Sequence, residues 1–136
     1  MPLPHVRTER LLLSSSLRAL LVAAALVLPT FAHAAQPYEQ KAFQSAQAAN
    51  KPILIEVTAP WCPTCRQQKP IVQQIEREKP DLVTFDVDFD SAKDILKQLK
   101  VQHQSTLIVY RGGKELARST GETDPAAIRS MISKAF

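Results

Sequence analysis

The only two cysteines of this 136-residue chain are Cys62 and Cys65, and the residues around them constrain the fold more than any other feature. Before them, Ile53-Leu54-Ile55-Glu56-Val57 is β-branched and almost continuously apolar. That is the pattern of a strand covered on both faces in a parallel sheet. After Ala59-Pro60-Trp61 the pattern changes to a helical one. The helix is predicted to begin at Cys62 and run towards Lys79, with Pro63 in its first turn, where a missing N–H costs nothing, and Pro70 inside it, where a kink is expected.

The remaining pattern surrounds this strand–turn–helix unit with similar elements. Tyr38 to Asn50 reads as a helix with Phe43, Ala46 and Ala49 at helical spacing. Leu82 to Val87 reads as a strand, Ser91 to Leu99 as a helix with Ser91 as N-cap, and Thr106 to Tyr110 as a further strand. Gly112-Gly113 tolerates positive φ at both central positions of a hairpin, so Lys114 to Ser119 is expected to return antiparallel. Asp124 as N-cap and Pro125 at the first helical position open a last helix, whose apolar side is Ile128, Ile132 and Phe136. A βαβ crossover followed by a hairpin implies an α/β fold: a mixed four-stranded sheet with helices on both faces.

The first residues have the profile of a secretory signal. Arg7, Arg10 and Arg18 precede an apolar run from Ala19 to Leu28 that ends at Pro29, and Ala32-His33-Ala34 is the small-x-small pattern of a cleavage site. The run is shorter than the ~20 apolar residues that span a bilayer. Cleavage is expected after Ala34, giving a leader of residues 1–34 and a soluble domain of residues 35–136, of a size that supports one core. The leader carries three arginines and Glu9, so the net charge falls from +4 for the whole chain to +2 for the domain. The remaining basic residues are scattered, without a stripe interleaved with aromatics, which argues against a nucleic-acid partner.

Three roles are open to the cysteine pair. A structural staple closing two intervening residues contributes only ~2 kcal/mol by the chain-entropy estimate and ties down no distant segment. A zinc site as a rule needs four ligands, and the domain offers no further cysteine and one histidine, His103. Thiol–disulfide exchange fits best. At a helix N-terminus, unpaired N–H groups and the macrodipole favour a thiolate at Cys62. Cys65, one turn later, is placed to resolve the mixed disulfide that Cys62 forms with a client.

These residues resemble the thioredoxin family along nearly all of the domain. Trp61-Cys62-Pro63-Thr64-Cys65 is similar to the family's Trp-Cys-x-x-Cys motif, Pro70 to its kink proline, Val101 to Tyr110 with Gly112-Gly113 to its substrate-loop strand and hairpin, and Gly121 to a family glycine. The resemblance implies Cys62 and Cys65 as the catalytic pair, with Trp61 beside the sulfurs and Trp61, Pro63, Thr64, Gln104 and Ser105 forming the substrate-binding surface. It implies no cofactor and no metal.

Four departures from the family pattern bear on the chemistry. No room exists before Tyr38 for the family's first strand, hence the four strands expected. Glu56 stands where members carry the aspartate that relays protons to the second cysteine, and a carboxyl in an apolar strand has the raised pKa suited to that role. Asp86 replaces the lysine that often neighbours this acid, so approach of Asp86 to Glu56 is expected to raise one pKa further. Gln104-Ser105-Thr106 replaces the usual x-Pro-Thr. A non-proline cis bond costs ~2.5–4 kcal/mol, so the Gln104–Ser105 peptide is expected to be trans, with Ser105 in van der Waals reach of the cysteines. A proline at 105 is expected to be tolerated if the loop can adopt its geometry. His103 reads as a solvated loop residue.

The function expected is therefore a thiol–disulfide oxidoreductase acting on client proteins with disulfides or dithiols. It is expected in the periplasm as a monomeric reductase or isomerase-type exchanger supplied by a membrane thiol-reductant conduit, as the resemblance implies. A dithiol oxidase and a metal-handling module using the two sulfurs are the alternatives.

Overall fold

The computed structural model describes residues 34–136, so the expected leader, apart from Ala34 itself, lies outside the described residues. The elements in chain order are β1 (Gln36–Pro37), α1 (Gln40–Ala48), β2 (Pro52–Thr58), α2 (Pro63–Glu78), β3 (Val83–Asp88), α3 (Lys93–Gln98), β4 (Thr106–Arg111), β5 (Lys114–Thr120) and α4 (Pro125–Ser133). The sheet has the order β1-β3-β2-β4-β5. Strand β2 is central, parallel to β3 and antiparallel to β4, and β4 pairs antiparallel with β5.

The α/β architecture is as expected, with five strands in place of four. The added strand is two residues at the sheet edge, pairing Gln36 with Phe85 and Pro37 with Asp86. Such a short segment, half of it proline, carries no alternating pattern by which a strand can be read.

Alternation along the central strands divides the core into two layers. Ile53, Ile55, Val57, Phe85, Val87 and Ile108 face α1 and α3, where they meet Phe43, Ala46 and Leu96. Phe43 packs edge-on against both Phe85 and Tyr110. Leu54, Leu107 and Val109 face the other way, against Val72 and Ile75 of α2 and Ile128 and Ile132 of α4. Glu56, Thr84 and Asp86 lie on this second face by the same period of two, which aims three polar side chains at α2.

The helix ends differ in how they are capped. Asp124 caps α4, its carboxylate accepting the Ala127 N–H at 2.7 Å. Ser91 does not cap α3. Ala92 occupies that position without a side-chain bond, and Asp88 accepts the N–H groups of Asp90 and Ser91, each at 2.8 Å. In the hairpin only Gly112 takes positive φ (55°). A β-carbon there would lie 2.8 Å from Asn50 Oδ1, so Gly112 is required both by conformation and by the close approach of the α1 C-terminus.

Candidate functional site

The carboxyl end of β2 delivers the chain to the start of α2, where Cys62 is the N-cap with extended backbone (φ −82°, ψ 110°) and Pro63 opens the helix. Cys62 and Cys65 form a disulfide with Cα atoms 5.3 Å apart. The Cys65 N–H donates to Cys62 Sγ at 3.0 Å, so sulfur takes the place of the usual capping oxygen and receives one of the helix's unpaired donors. The same N–H is available to a thiolate once the pair is reduced.

Cys62 is completely buried and Cys65 nearly so, in a small cluster with Ala59 and the partly buried Phe89. Phe89 was not legible as a site residue, since the chain returns to the sulfurs there only through the β3–α3 turn. Its N–H is held by the Thr58 carbonyl at 2.8 Å. Trp61, expected beside the sulfurs, is 54% exposed, and its indole N–H donates to Asp90 at 2.8 Å. The apolar cover of the disulfide is thus supplied by Phe89 and Ala59. Pro63 is exposed and Thr64 half-buried at the surface of the first helical turn.

Ser105 and Cys65 both lie against the Val57 carbonyl. The Ser105 N–H donates to the Val57 carbonyl at 2.8 Å, and Cys65 Sγ lies 3.9 Å from the same oxygen. The Gln104–Ser105 peptide is trans, and Ser105 has φ 56°, a left-handed conformation that L-residues other than glycine seldom adopt. Three contacts hold it there. The hydroxyl donates to the Gln104 carbonyl at 2.6 Å, the Ser105 carbonyl accepts the Gly121 N–H at 2.9 Å, and that carbonyl also accepts the Gln68 amide at 3.1 Å. The Gln68 amide nitrogen donates again, to the Glu122 carbonyl at 2.9 Å. His103 is exposed, and its carbonyl accepts the Thr106 hydroxyl.

On the α2 side of the sulfurs lies a cavity of about 530 Å³ lined by Glu56, Thr58, Cys65, Lys69, Glu76 and Asp86 among others. Glu56 is only 8% exposed, and its pKa is raised to about 8, first by burial, then by Glu76 and by Asp86, against a smaller opposing effect of Lys69. The expected approach of Asp86 is realised by register, for Glu56 and Asp86 are cross-strand partners. Asp86 itself accepts the Thr58 hydroxyl at 2.6 Å. The larger influence of Glu76 was missed. Its only sequence trace is helical spacing, as Cys65, Lys69 and Glu76 recur on one side of α2.

The match to known proteins has the same extent as this fold. The family model described as Thioredoxin matches residues 34–134. An H-type thioredoxin of Fagopyrum esculentum is 34% identical over 89 residues, 65% of this chain and 76% of that protein. Thioredoxin-2 of Saccharomyces cerevisiae is 32% identical over 91 residues, 66% of this chain and 86% of its own. Among solved structures, Trxlp from Edwardsiella tarda superimposes with a TM-score of 0.70 at 42% identity, covering 73% of this chain and 98% of that one. Oxidised thioredoxin O2 of Arabidopsis thaliana gives 0.62 at 26% identity, over 69% and 83% of the two chains.

Proposed function

This chain belongs to the thioredoxin family of thiol–disulfide oxidoreductases, and from that premise we propose that it is an exported reductase or isomerase-type exchanger. In this reading residues 1–34 are removed on export and the domain acts in the periplasm on client disulfides, with electrons supplied by a membrane thiol conduit. The single observation that carries the exchange reading is the Cys62–Cys65 disulfide at the start of α2, with the Cys65 N–H directed at Cys62 Sγ. Among the described residues no helix is long and apolar enough to cross a membrane.

The proposed reaction begins with the reduced pair. Cys62 thiolate, favoured by the helix N-terminus, attacks one sulfur of the client disulfide. A Cys62–client disulfide forms and the other client sulfur leaves as thiolate. Cys65 then gives up its proton, with Glu56 as acceptor across the shared cavity, and attacks Cys62 Sγ. The internal disulfide closes and the second client thiolate departs, so two electrons have passed to the client. A carboxyl with a pKa of about 8 is matched to a thiol that ordinarily titrates near 8.5.

The redox potential of the Cys62/Cys65 couple tests the direction. A value near that of thioredoxin, about −270 mV, is the expected result; a value near about −120 mV would make the protein a dithiol oxidase. In the same preparation Cys65→Ser is expected to accumulate mixed disulfides with clients through Cys62.

A further inference from the structure

The cavity behind the sulfurs has a charge imbalance that the exchange reaction does not explain. Its charged lining consists of Glu56 from β2, Asp86 and Asp88 from β3, and Arg66, Lys69 and Glu76 from α2. Arg66 and Lys69 are exposed and anchored near the start of the helix, whereas Glu76 lies towards the opposite end and is 5% exposed. The Thr84 hydroxyl approaches Glu76 and lowers its pKa, but not in hydrogen-bonding geometry: Glu76 Oε1 and Thr84 Oγ1 are both buried without a partner among the described residues. A buried carboxylate oxygen left unpaired costs several times what a typical hydrogen bond contributes. Among the described residues no group of His, Cys, Asp or Glu is arranged to hold a metal ion.

The remaining lining residues of this cavity are mostly small, and two of them are Ala34 and Ala35. Because Gln36 pairs with Phe85, one step back along the same register sets Ala35 level with Thr84, on the sheet face that carries Glu56 and Asp86 and packs against α2. The bond between Ala34 and Ala35 is the one expected to be cut on export. Hydrolysis adds one water across it: Ala34 leaves with the leader as a carboxylate, and the Ala35 nitrogen becomes an amine that takes up a proton.

Resting on the export reading above, we propose that this processing creates a site: the α-ammonium of Ala35 becomes the resident cation of the acid cavity, pairing with Glu76 and completing the surroundings of Glu56. The ammonium supplies the donors that Glu76 Oε1 lacks. It also stands on the β3 side of the cavity, opposite α2, whose Arg77 and Lys69 are the cations that already lower the pKa values of Glu76 and Glu56 respectively. In the chain with residue 34 still attached, burial raises the pKa of Glu76, and Glu76 in turn is the second-largest influence raising that of Glu56. A cation beside both acts in the opposite sense, so processing lowers the pH at which Glu56 becomes a competent proton acceptor. Leader removal then tunes the active site in addition to releasing the protein.

The test uses the full chain expressed with its leader in an exporting bacterium and the product purified from it. Its N-terminal mass is expected to begin at Ala35; a different N-terminus overturns the proposal at the export premise and leaves the thiol chemistry standing. NMR titration of Ala35 is then expected to show an amine at least tenfold more basic than the ordinary α-amino group, whose pKa is about 7.7–8.0, with Glu76→Gln returning it to that range. α-Acetylation of the unsubstituted protein provides a readout that does not depend on a variant folding. It is expected to raise the titration midpoints of the Glu56 and Glu76 carboxyl carbons. An amine of ordinary basicity, together with carboxyl midpoints unmoved by acetylation, overturns the pairing.

Discussion

Ser105 carries a local strain that its neighbours hold in place. At φ 56° an L-residue sits ~1–2 kcal/mol above the right-handed alternatives, and the bonds through its N–H, hydroxyl and carbonyl offset that cost. Proline fits neither requirement, for its φ is fixed near −65° and it has no N–H to donate to Val57. The condition on which a proline at 105 is expected to be tolerated, that the loop can adopt its geometry, is therefore not met here. Ser105→Pro is expected to lose about 3 kcal/mol or more in urea unfolding, while Ser105→Gly is expected to match or exceed the parent, since glycine takes positive φ without strain. Equal stability of the two variants would show that the loop rearranges freely. The trans peptide was legible from the absence of proline alone. The positive φ was not, because it is imposed by the β4 register and by Gln68 and Gly121, which come from elsewhere in the chain.

At the scale of elements, β2 and α2 were legible because each repeats its signal over many residues, a continuous apolar run in one and Pro63 with helical spacing in the other. The turns that meet them were less so. The β3–α3 turn sets Phe89 against the cluster of Ala59, Cys62 and Cys65 and Asp90 against Trp61, and neither contact has a local pattern. Cys62 is completely buried in the oxidised form, and this turn contributes Phe89 to the cluster around it. Phe89→Ala is expected to expose Cys62 and to speed reduction of the disulfide by a small thiol such as dithiothreitol several-fold, because access limits exchange once thiolate character is fixed. An unchanged rate, measured by stopped-flow fluorescence of Trp61, would assign the cover to Ala59 alone. In the hairpin, Gly112→Ala is expected to destabilise by at least ~1 kcal/mol, as its β-carbon meets Asn50 Oδ1 and its φ is positive. Thermal unfolding checks this, with Gly113→Ala, which meets nothing within 4 Å, as the comparison.

For the whole molecule the principal charge effect is pH-linked stability. The pKa of Glu56 rises from 4.5 to about 8 on burial, so the folded state holds its proton more tightly than the unfolded chain. Its stabilising contribution is full below pH about 4.5 and is lost as pH rises through about 8, with an upper bound of about 5 kcal/mol. Glu56→Gln is expected to flatten urea-derived stability between pH 5 and 8 and to exceed the parent at pH 9; parallel curves for the two proteins would refute this. A buried acid in β2 was legible from one polar residue in an apolar run. Glu76 was not, because whether a glutamate one turn from a helix end is buried depends on the sheet beneath it. The double attachment made by Gln68 couples these scales. The loop bearing Ser105, the loop bearing Glu122 and α2 share one amide, so displacing either loop works against the same bonds that tie down the helix behind Cys65. The set of both loops and the rigidity of the redox pair are then a single mechanical quantity, adjustable at one position a helical turn beyond the sulfurs.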